Sequence, residues 1–385
     1  MTTRFSHLVC SVCECTFPKN ESQTFCPNCK KPLLAIYDLA PLDKRILQDR
    51  KKDMWRYREM LPVEDKRYIV TLGEGFTPLL PLERLGSKIG LTDVWLKDES
   101  ANPTGSFKAR GLSMAVSKAH EYGVREMAIP TAGNAGSALA AYGARAGIKT
   151  HVFMPEATPM VFQTDCAWMG ASVTTVSGSI RDAGQAMNRA NPGHWFDVST
   201  LKEPYRIEGK KTMGYELAEQ LNWQTPDVIL YPTGGGTGLI GIWKAFKEMK
   251  ALGWISEITT RMVAVQVAGC APIVPAFEAQ DQDGHPVADP PETIANGLRV
   301  PAPFGDRLIL EALYESNGTA ISVTDSEMKT GLREMASSEG LFVAPEGAAV
   351  WIALKKLKES GWLKVNEKIV LLNTGSAYKY IENLW

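Results

Sequence analysis

The chain has 385 residues, enough for roughly two or three domains with a sizeable buried core. Hydrophobic residues make up 44% and charged residues 22%, the balance of a soluble globular protein. A formal net charge of −1 excludes a global basic field for nucleic acid or an anionic membrane, so any phosphate recognition has to come from a local site. The opening MTTRFSHLVC lacks a long apolar stretch, and no segment approaches the roughly 18 uninterrupted apolar residues of a membrane span. Neither a membrane nor nucleic acid is expected as a partner, and the expected location is cytoplasmic.

Residues 1–35 read as a small separate module. Cys10-x-x-Cys13 and Cys26-Pro-Asn-Cys29 form two knuckles twelve residues apart. Four thiolates at such spacing suit tetrahedral zinc, with one ion replacing the core that so short a segment cannot build. Cys15 is a spare thiol that competes for a ligand place. The module has few basic residues beyond Lys19, Lys30 and Lys31, which favours a structural role over nucleic-acid binding. Residues 36–69 are charge-rich, with helical spacing at Ile46, Leu47, Met54 and Tyr57, and read as a surface helix leading into the main body.

From Val70 onward strand-like and helix-like segments alternate. Strands are expected at 93–97, 126–129, 150–153, 172–176, 228–231, 262–267, 320–323 and 369–372. Helices are expected at 111–120, 137–146, 180–190, 212–221, 239–249, 325–338 and 348–358. The alternation predicts an α/β protein with mostly parallel sheets and covered faces. Residues 278–306, rich in Pro, Gly and Asp, read as a long loop.

Four turns between strands and helices carry the chemistry. In "YPTGGGTGLIG", Gly234, Gly235, Gly236, Thr237 and Gly238 let consecutive backbone N–H groups face one anion at a helix start. Gly236–Gly241 also fits G-x-G-x-x-G, but the following strand, RMVAVQVAG, ends without the acidic residue that would hold a ribose. A lone phosphate is therefore the better ligand than a dinucleotide. In "PTAGNAG", Thr131, Gly133, Asn134 and Ala135 offer a nest for a carboxylate. In "LLNTGSAY", Thr374 and Ser376 bring hydroxyls to a strand's C-terminal edge, where a hydroxyl can meet a ring nitrogen without forcing its protonation. Lys108, in "NPTGSFKARG", sits in a tight segment whose partial desolvation would yield a nucleophilic amine for a Schiff base. Together an amine, a phosphate cradle, a carboxylate nest and a strand-end hydroxyl match what pyridoxal phosphate with a bound amino acid requires.

Over residues 68–380, with these four motifs in the family's order, the chain resembles the fold type II pyridoxal-phosphate enzymes, the tryptophan-synthase-β-like group. Within that group "GEGFTPLLPLERLG", "WLKDESANPTGSFKARG", "PYRIEGKKTMGYELAEQL" and "APEGAAV" resemble the threonine synthase family, among whose relatives a cysteine-rich N-terminal extension occurs. The resemblance implies two three-layer open parallel-sheet domains. Residues 70–110 and 196–385 would form the large cofactor-binding domain, and 111–195 the small substrate-loop domain.

It implies Lys108 as the Schiff-base lysine, Asn134 beside the cofactor's 3-oxygen, the 234–238 loop on its phosphate, and Thr374, or Ser376 in a second register, at the pyridine nitrogen. The implied reaction converts O-phosphohomoserine to threonine and phosphate. The cations for the leaving phosphate would be Lys97, Arg206 and Lys211, and a homodimer is expected. Ala109 stands where the family commonly has Asp, and "GGGTG" lacks the family's asparagines, so "SFKARG" also resembles the serine/threonine dehydratases. Ammonia-lyase activity, and β-replacement as in cysteine or cysteate synthases, stay open.

Overall fold

All eight expected strands form in the computed structural model, which describes residues 3–384. In chain order the elements are β1 (Phe5–Cys10), β2 (Thr16–Pro18), β3 (Leu33–Tyr37), β4 (Leu79–Pro81), α1 (Glu83–Lys88), β5 (Val94–Asp98), α2 (Lys108–Glu121), β6 (Glu126–Pro130) and α3 (Asn134–Ala146). Then come β7 (Lys149–Pro155), α4 (Met160–Trp168), β8 (Ser172–Val176), α5 (Ile180–Ala190), β9 (Phe196–Asp197), α6 (Tyr205–Gln220), β10 (Val228–Pro232) and α7 (Thr237–Ala251). The chain ends with β11 (Arg261–Val267), α8 (Ile273–Glu278), α9 (Asp306–Glu315), β12 (Thr319–Val323), α10 (Asp325–Glu339), α11 (Pro345–Glu359) and β13 (Ile369–Asn373).

These elements fall into two compact units. The first takes the chain up to Phe76 together with Asn102–Thr212; the second takes Thr77–Ala101 and the chain from Met213 on. Lys108 thus belongs to the same unit as the Thr131–Ala135 loop.

In the first unit β1 lies between β2 and β3 in a small antiparallel sheet, with Cys10 opposite Leu33. A second, parallel sheet has the order β8-β7-β6-β9. Chain order reverses between β6 and β9, and open sheets take ligands beside the carboxyl ends of strands at such a switch point. Buried Ala128 and Phe153 of this sheet pack on Ala183 and Met187 of α5. A fully buried carboxylate, Glu74, ties the unit together. It accepts hydrogen bonds from Trp55 Nε1 (2.9 Å), Ser113 Oγ (2.7 Å) and Tyr142 Oη (2.6 Å).

The second unit holds a six-stranded sheet in the order β12-β11-β10-β13-β5-β4, parallel except for the edge strand β4. Strand alternation sends Val228 and Leu230 into a core with Trp351 and Leu354 of α11, while Ile229 and Tyr231 are buried on the opposite face. A sheet apolar on both faces must be covered on both, which is why its strands read as near-continuous hydrophobic runs. Here the switch point lies between β10 and β13.

The segment expected as a surface helix differs. Residues 44–47 and 54–60 form short 3-10 turns, and Met54, Trp55, Tyr57 and Met60 are buried. Asp43, Asp53 and Asp65 each accept the amide two residues on, at 2.9–3.0 Å, and these local turns interrupt any continuous helix. Helix α6 begins seven residues earlier than expected, at Tyr205. Helices α1, α4, α8 and α9 form where the hydrophobic spacing marked none.

Candidate active site

In the second unit the chain leaves buried β10 and turns through Gly234–Gly236 into α7. Gly236 is the N-cap in a left-handed conformation, φ 69°, with no capping side chain. A Cβ on Gly234 would lie 2.2 Å from the Gly297 carbonyl oxygen, one on Gly236 2.3 Å from Ile309 Cδ1, and one on Gly238 1.8 Å from the Tyr231 oxygen. No side chain fits at these three glycines, so their backbone approaches its neighbours closely. The first amides of a 15-residue helix have no intrahelical acceptor and carry the positive end of its dipole. The turn therefore fits a phosphate group.

β13 pairs directly with β10, Leu371 opposite Leu230, so its C-terminal end opens at the same switch point. Asn373 there is held by Asp98, to which its Nδ2 donates at 2.7 Å. Thr374 follows, 6% exposed, and its hydroxyl is engaged by no protein group among the described residues. Ser376, by contrast, caps a 3-10 turn by accepting the Tyr378 amide. Lys97 lies in β5 of this unit, fully buried. Its ammonium donates to the Thr77 carbonyl (2.8 Å), Glu216 (3.0 Å) and Gln220 Oε1 (2.8 Å), so all of its protons have partners.

In the first unit, the turn before Lys108 is built from two left-handed residues, Thr104 (φ 62°) and Gly105 (φ 67°). A β-branched residue at positive φ is strained, and such strain gathers where a side chain must be aimed. The Asn102 carbonyl oxygen accepts the Gly105 amide and its side chain accepts the Gly75 amide, which fixes the turn. Lys108 then opens α2 with its ammonium 4.4 Å from the Phe107 ring centroid. Ala109 and Arg110 are fully buried, and Arg110 donates to Thr212 Oγ1 at 2.9 Å.

The β6–α3 loop lies at the switch point of the same unit. Gly133 has φ 137°, a region reserved for glycine, and a Cβ there would meet the Phe162 ring at 2.7 Å. Thr131 Oγ1 accepts the Gly133 amide at 3.1 Å, and Asn134 is the first residue of α3. The neighbouring strand β9 leads through Val198 to α6, which carries three cations: Arg206, Lys210 and Lys211.

They differ in what holds them. Lys211 pairs with Glu208 at 2.6 Å and lies 3.8 Å from the Tyr37 ring centroid, facing the N-terminal sheet. Arg206 is 1% exposed and donates through Nη1 to the Val198 carbonyl at 2.6 Å, while its Nε and Nη2 have no partner among the described residues. Burial lowers its pKa, opposed by the charges of Glu203 and Asp197. Glu203 is buried too, accepts the Tyr205 and Arg206 amides at 2.8 Å each, and is pushed up to about 7 by burial, against the pull of Arg206. The motif "PYRIEGKKT" pointed to Arg206 and Lys211 and passed over Lys210. The missed signal is spacing, because Lys210 stands four residues beyond Arg206 on the same helix face.

The sulfur atoms of Cys10, Cys13, Cys26 and Cys29 all lie within 4.8 Å of one another, with neighbouring pairs at 3.3–3.6 Å. Four thiolates about 2.3 Å from one zinc ion would stand about 3.8 Å apart, so the cluster is compatible with such an ion. Cys15 lies outside this group and accepts from Asn28 Nδ2 at 3.3 Å.

Residues 70–375 match the family model described as pyridoxal-phosphate dependent enzyme. The chain belongs to this family. Two relatives called threonine synthase, from Methanocaldococcus jannaschii and Methanosarcina acetivorans, are each 37% identical, over 375 and 379 residues. These matches cover 96% and 97% of this chain and 92% of each relative, which leaves no room to omit the N-terminal module. The processed threonine deaminase isoform 2 of Solanum lycopersicum shares the fold, with a TM-score of 0.68 at 19% identity over 93% of this chain and 98% of that one. Like its family, the chain is a pyridoxal-phosphate-dependent lyase of fold type II. No helix among the described residues is long and apolar enough to cross a membrane.

Proposed function

We propose that this enzyme converts O-phospho-L-homoserine to L-threonine and phosphate. The observation that carries the reading is the Arg206 guanidinium, buried with Nε and Nη2 unpartnered. A buried charge with open donors is costly unless a ligand completes it, and a planar fork of N–H groups matches a phosphate. An ammonia-lyase acting on serine or threonine would have no second anion, beyond the carboxylate given to the Thr131–Ala135 loop, to place there.

Pyridoxal phosphate, when bound, supplies the electron sink that lets carbon–hydrogen bonds next to an amino group ionise. The 234–238 backbone would hold its phosphate, and Thr374 would meet the ring nitrogen. We take Thr374 over Ser376 because the Ser376 hydroxyl already caps a turn. Asn134 would stand beside the ring's 3-oxygen, and the Thr131, Gly133 and Ala135 backbone would bind the substrate carboxylate. Lys108 Nζ would take and return the protons that move between substrate carbons. Arg206 would hold the substrate phosphate and, as it leaves, its growing charge. We assign Lys97 to the fold, since its ammonium has no proton left to offer, and Lys211 to the contact between α6 and the N-terminal sheet. A zinc ion in the four-cysteine cluster would keep that sheet folded beside α6.

A substrate panel scored for threonine, phosphate and ammonia together tests the reading. Threonine and phosphate should appear in equal amounts from O-phosphohomoserine. Fast ammonia release from serine or threonine, with no phosphate release, would sink it. Borohydride reduction and peptide mapping should place the pyridoxyl group on Lys108. Metal analysis should find about one zinc per chain, lost in Cys29→Ser. Sedimentation at two concentrations tests the expected homodimer.

A further inference from the structure

The reading above gives the N-terminal sheet a place beside α6 but no task. Strand β1 has Cys10 of the cysteine cluster at one end and the buried ring of Phe5 at the other. That ring meets Tyr205 of α6 edge-on, with centroids 6.3 Å apart and planes at 90°. The Lys118 ammonium of α2 lies 5.5 Å from the Phe5 centroid, 4.7 Å from that of Tyr122 and 5.9 Å from that of Tyr205. Lys118 is buried and pairs with Glu121 at 2.6 Å. A desolvated cation among three aromatic rings is held by all of them, and one of the three comes from the module. The Tyr122 hydroxyl donates to the Lys19 carbonyl at 2.7 Å, so its oxygen accepts the Tyr205 hydroxyl at 2.6 Å.

Tyr205 immediately precedes Arg206, and Glu203 accepts both amides, so the two residues share one capped turn. At about 100° per residue, Tyr205, Glu208 and Lys211 lie on one side of α6 and Arg206 on the other. The sheet meets the first side, through Phe5 on Tyr205 and Tyr37 on Lys211. Helix α2 meets the second, where a Cβ on Gly111 would stand 2.9 Å from the Arg206 carbonyl oxygen. The start of α6 is therefore clamped from both sides. Open donors in a dry interior favour any shift of their helix that finds them an acceptor, so a site that keeps them open needs a stiff support. We propose that the N-terminal module is that support: the Phe5–Lys118–Tyr205 contact holds the first turn of α6 so that Arg206 keeps its guanidinium placed for a phosphate. The proposal rests on the phosphate role given to Arg206 and makes Phe5 and Tyr205 positioning residues for it. Loosening the contact weakens anion binding and leaves the cofactor in place.

Sulfate binding to the holoenzyme, measured by calorimetry, is the direct test, with the cofactor's absorbance reporting its occupancy. Phe5→Leu keeps an apolar side chain but removes the ring. It should weaken sulfate binding about three- to tenfold at unchanged cofactor occupancy. Tyr205→Phe keeps the ring, cuts only the hydroxyl link to Tyr122, and should weaken it about twofold. A double-mutant cycle separates positioning from general loosening. A residue that acts through Arg206 loses its effect once Arg206 is gone, so Phe5→Leu should change kcat/KM on the phosphorylated substrate by less than about twofold in an Arg206→Gln background. If Phe5→Leu does not fold, Tyr205→Phe carries the same cycle. A fall in kcat/KM that is as large in the Arg206→Gln background as in wild type overturns the proposal. Sulfate binding that is unaffected by Arg206→Gln overturns both the phosphate reading and this inference. Binding that needs Arg206 but is the same in wild type, Phe5→Leu and Tyr205→Phe overturns this inference alone.

Discussion

Lys97 and Arg206 stand out equally in the sequence, each a cation in a segment that resembles a family signature. The folded chain treats them oppositely. Lys97 is buried with a carboxylate, an amide oxygen and a carbonyl on its ammonium, whereas Arg206 is buried with two of its nitrogens unpartnered. Burial alone does not mark a functional charge. What separates the two is the number of donors the protein leaves open, because an unmet hydrogen bond in a dry interior is costly.

The contrast makes the two residues fail in different ways. Lys97→Met should cost about 3–5 kcal/mol of stability, since it removes one partner of a fully buried ion pair and three hydrogen bonds with it. Urea denaturation measures this, and a loss below about 1 kcal/mol would show that Lys97 is not a structural ion. Arg206→Gln should unfold at nearly the wild-type midpoint, because the charge it removes was poorly compensated. Its kcat/KM on the phosphorylated substrate should fall by about 2–4 kcal/mol, or roughly 30- to 1,000-fold. A large stability loss with modest kinetic change would reverse the assignment. Thr374→Val should cost less, about 1 kcal/mol in cofactor affinity or kcat/KM, with Thr374→Ser close to wild type. The same loss in Ser376→Ala but not in Thr374→Val would select the other register.

Strands and turns were legible because their signals are local. Both units' sheets follow from apolar runs between glycine turns, and the 234–238 turn is readable because side chains are excluded at its glycines. The linker at 44–60 was misread because apolar residues at helical spacing look alike whether a helix or two Asp-capped turns present them. On α6, "GKK" offers two neighbouring lysines and no local rule that says which partner each meets. Lys211 turns to Glu208 and Tyr37, and Lys210 turns to Phe107. That choice is made by which partner each face of α6 meets. For the same reason it takes the fold to show that Arg110 of "SFKARG" is buried and donates to Thr212.

Glu203 gives the finest test of the comparison. Glu216 shares an ion pair with Lys97, and Glu203, if fully ionised, would likewise offset the charge of Arg206. Instead burial holds Glu203 up at about 7, against an ordinary 4.5. Below about pH 4.5 folded and unfolded chains both carry this proton. Between about 4.5 and 7 the unfolded chain has lost it while the folded chain keeps it, so this contribution to stability is present at low pH and declines as pH rises through 7. Urea midpoints of wild type should therefore fall between pH 5 and 7 relative to Glu203→Gln, and the difference should level off by pH 8. Parallel pH profiles for the two proteins would mean that Glu203 is ionised throughout, and the charge of Arg206, though not its open Nε and Nη2, would then be offset as that of Lys97 is.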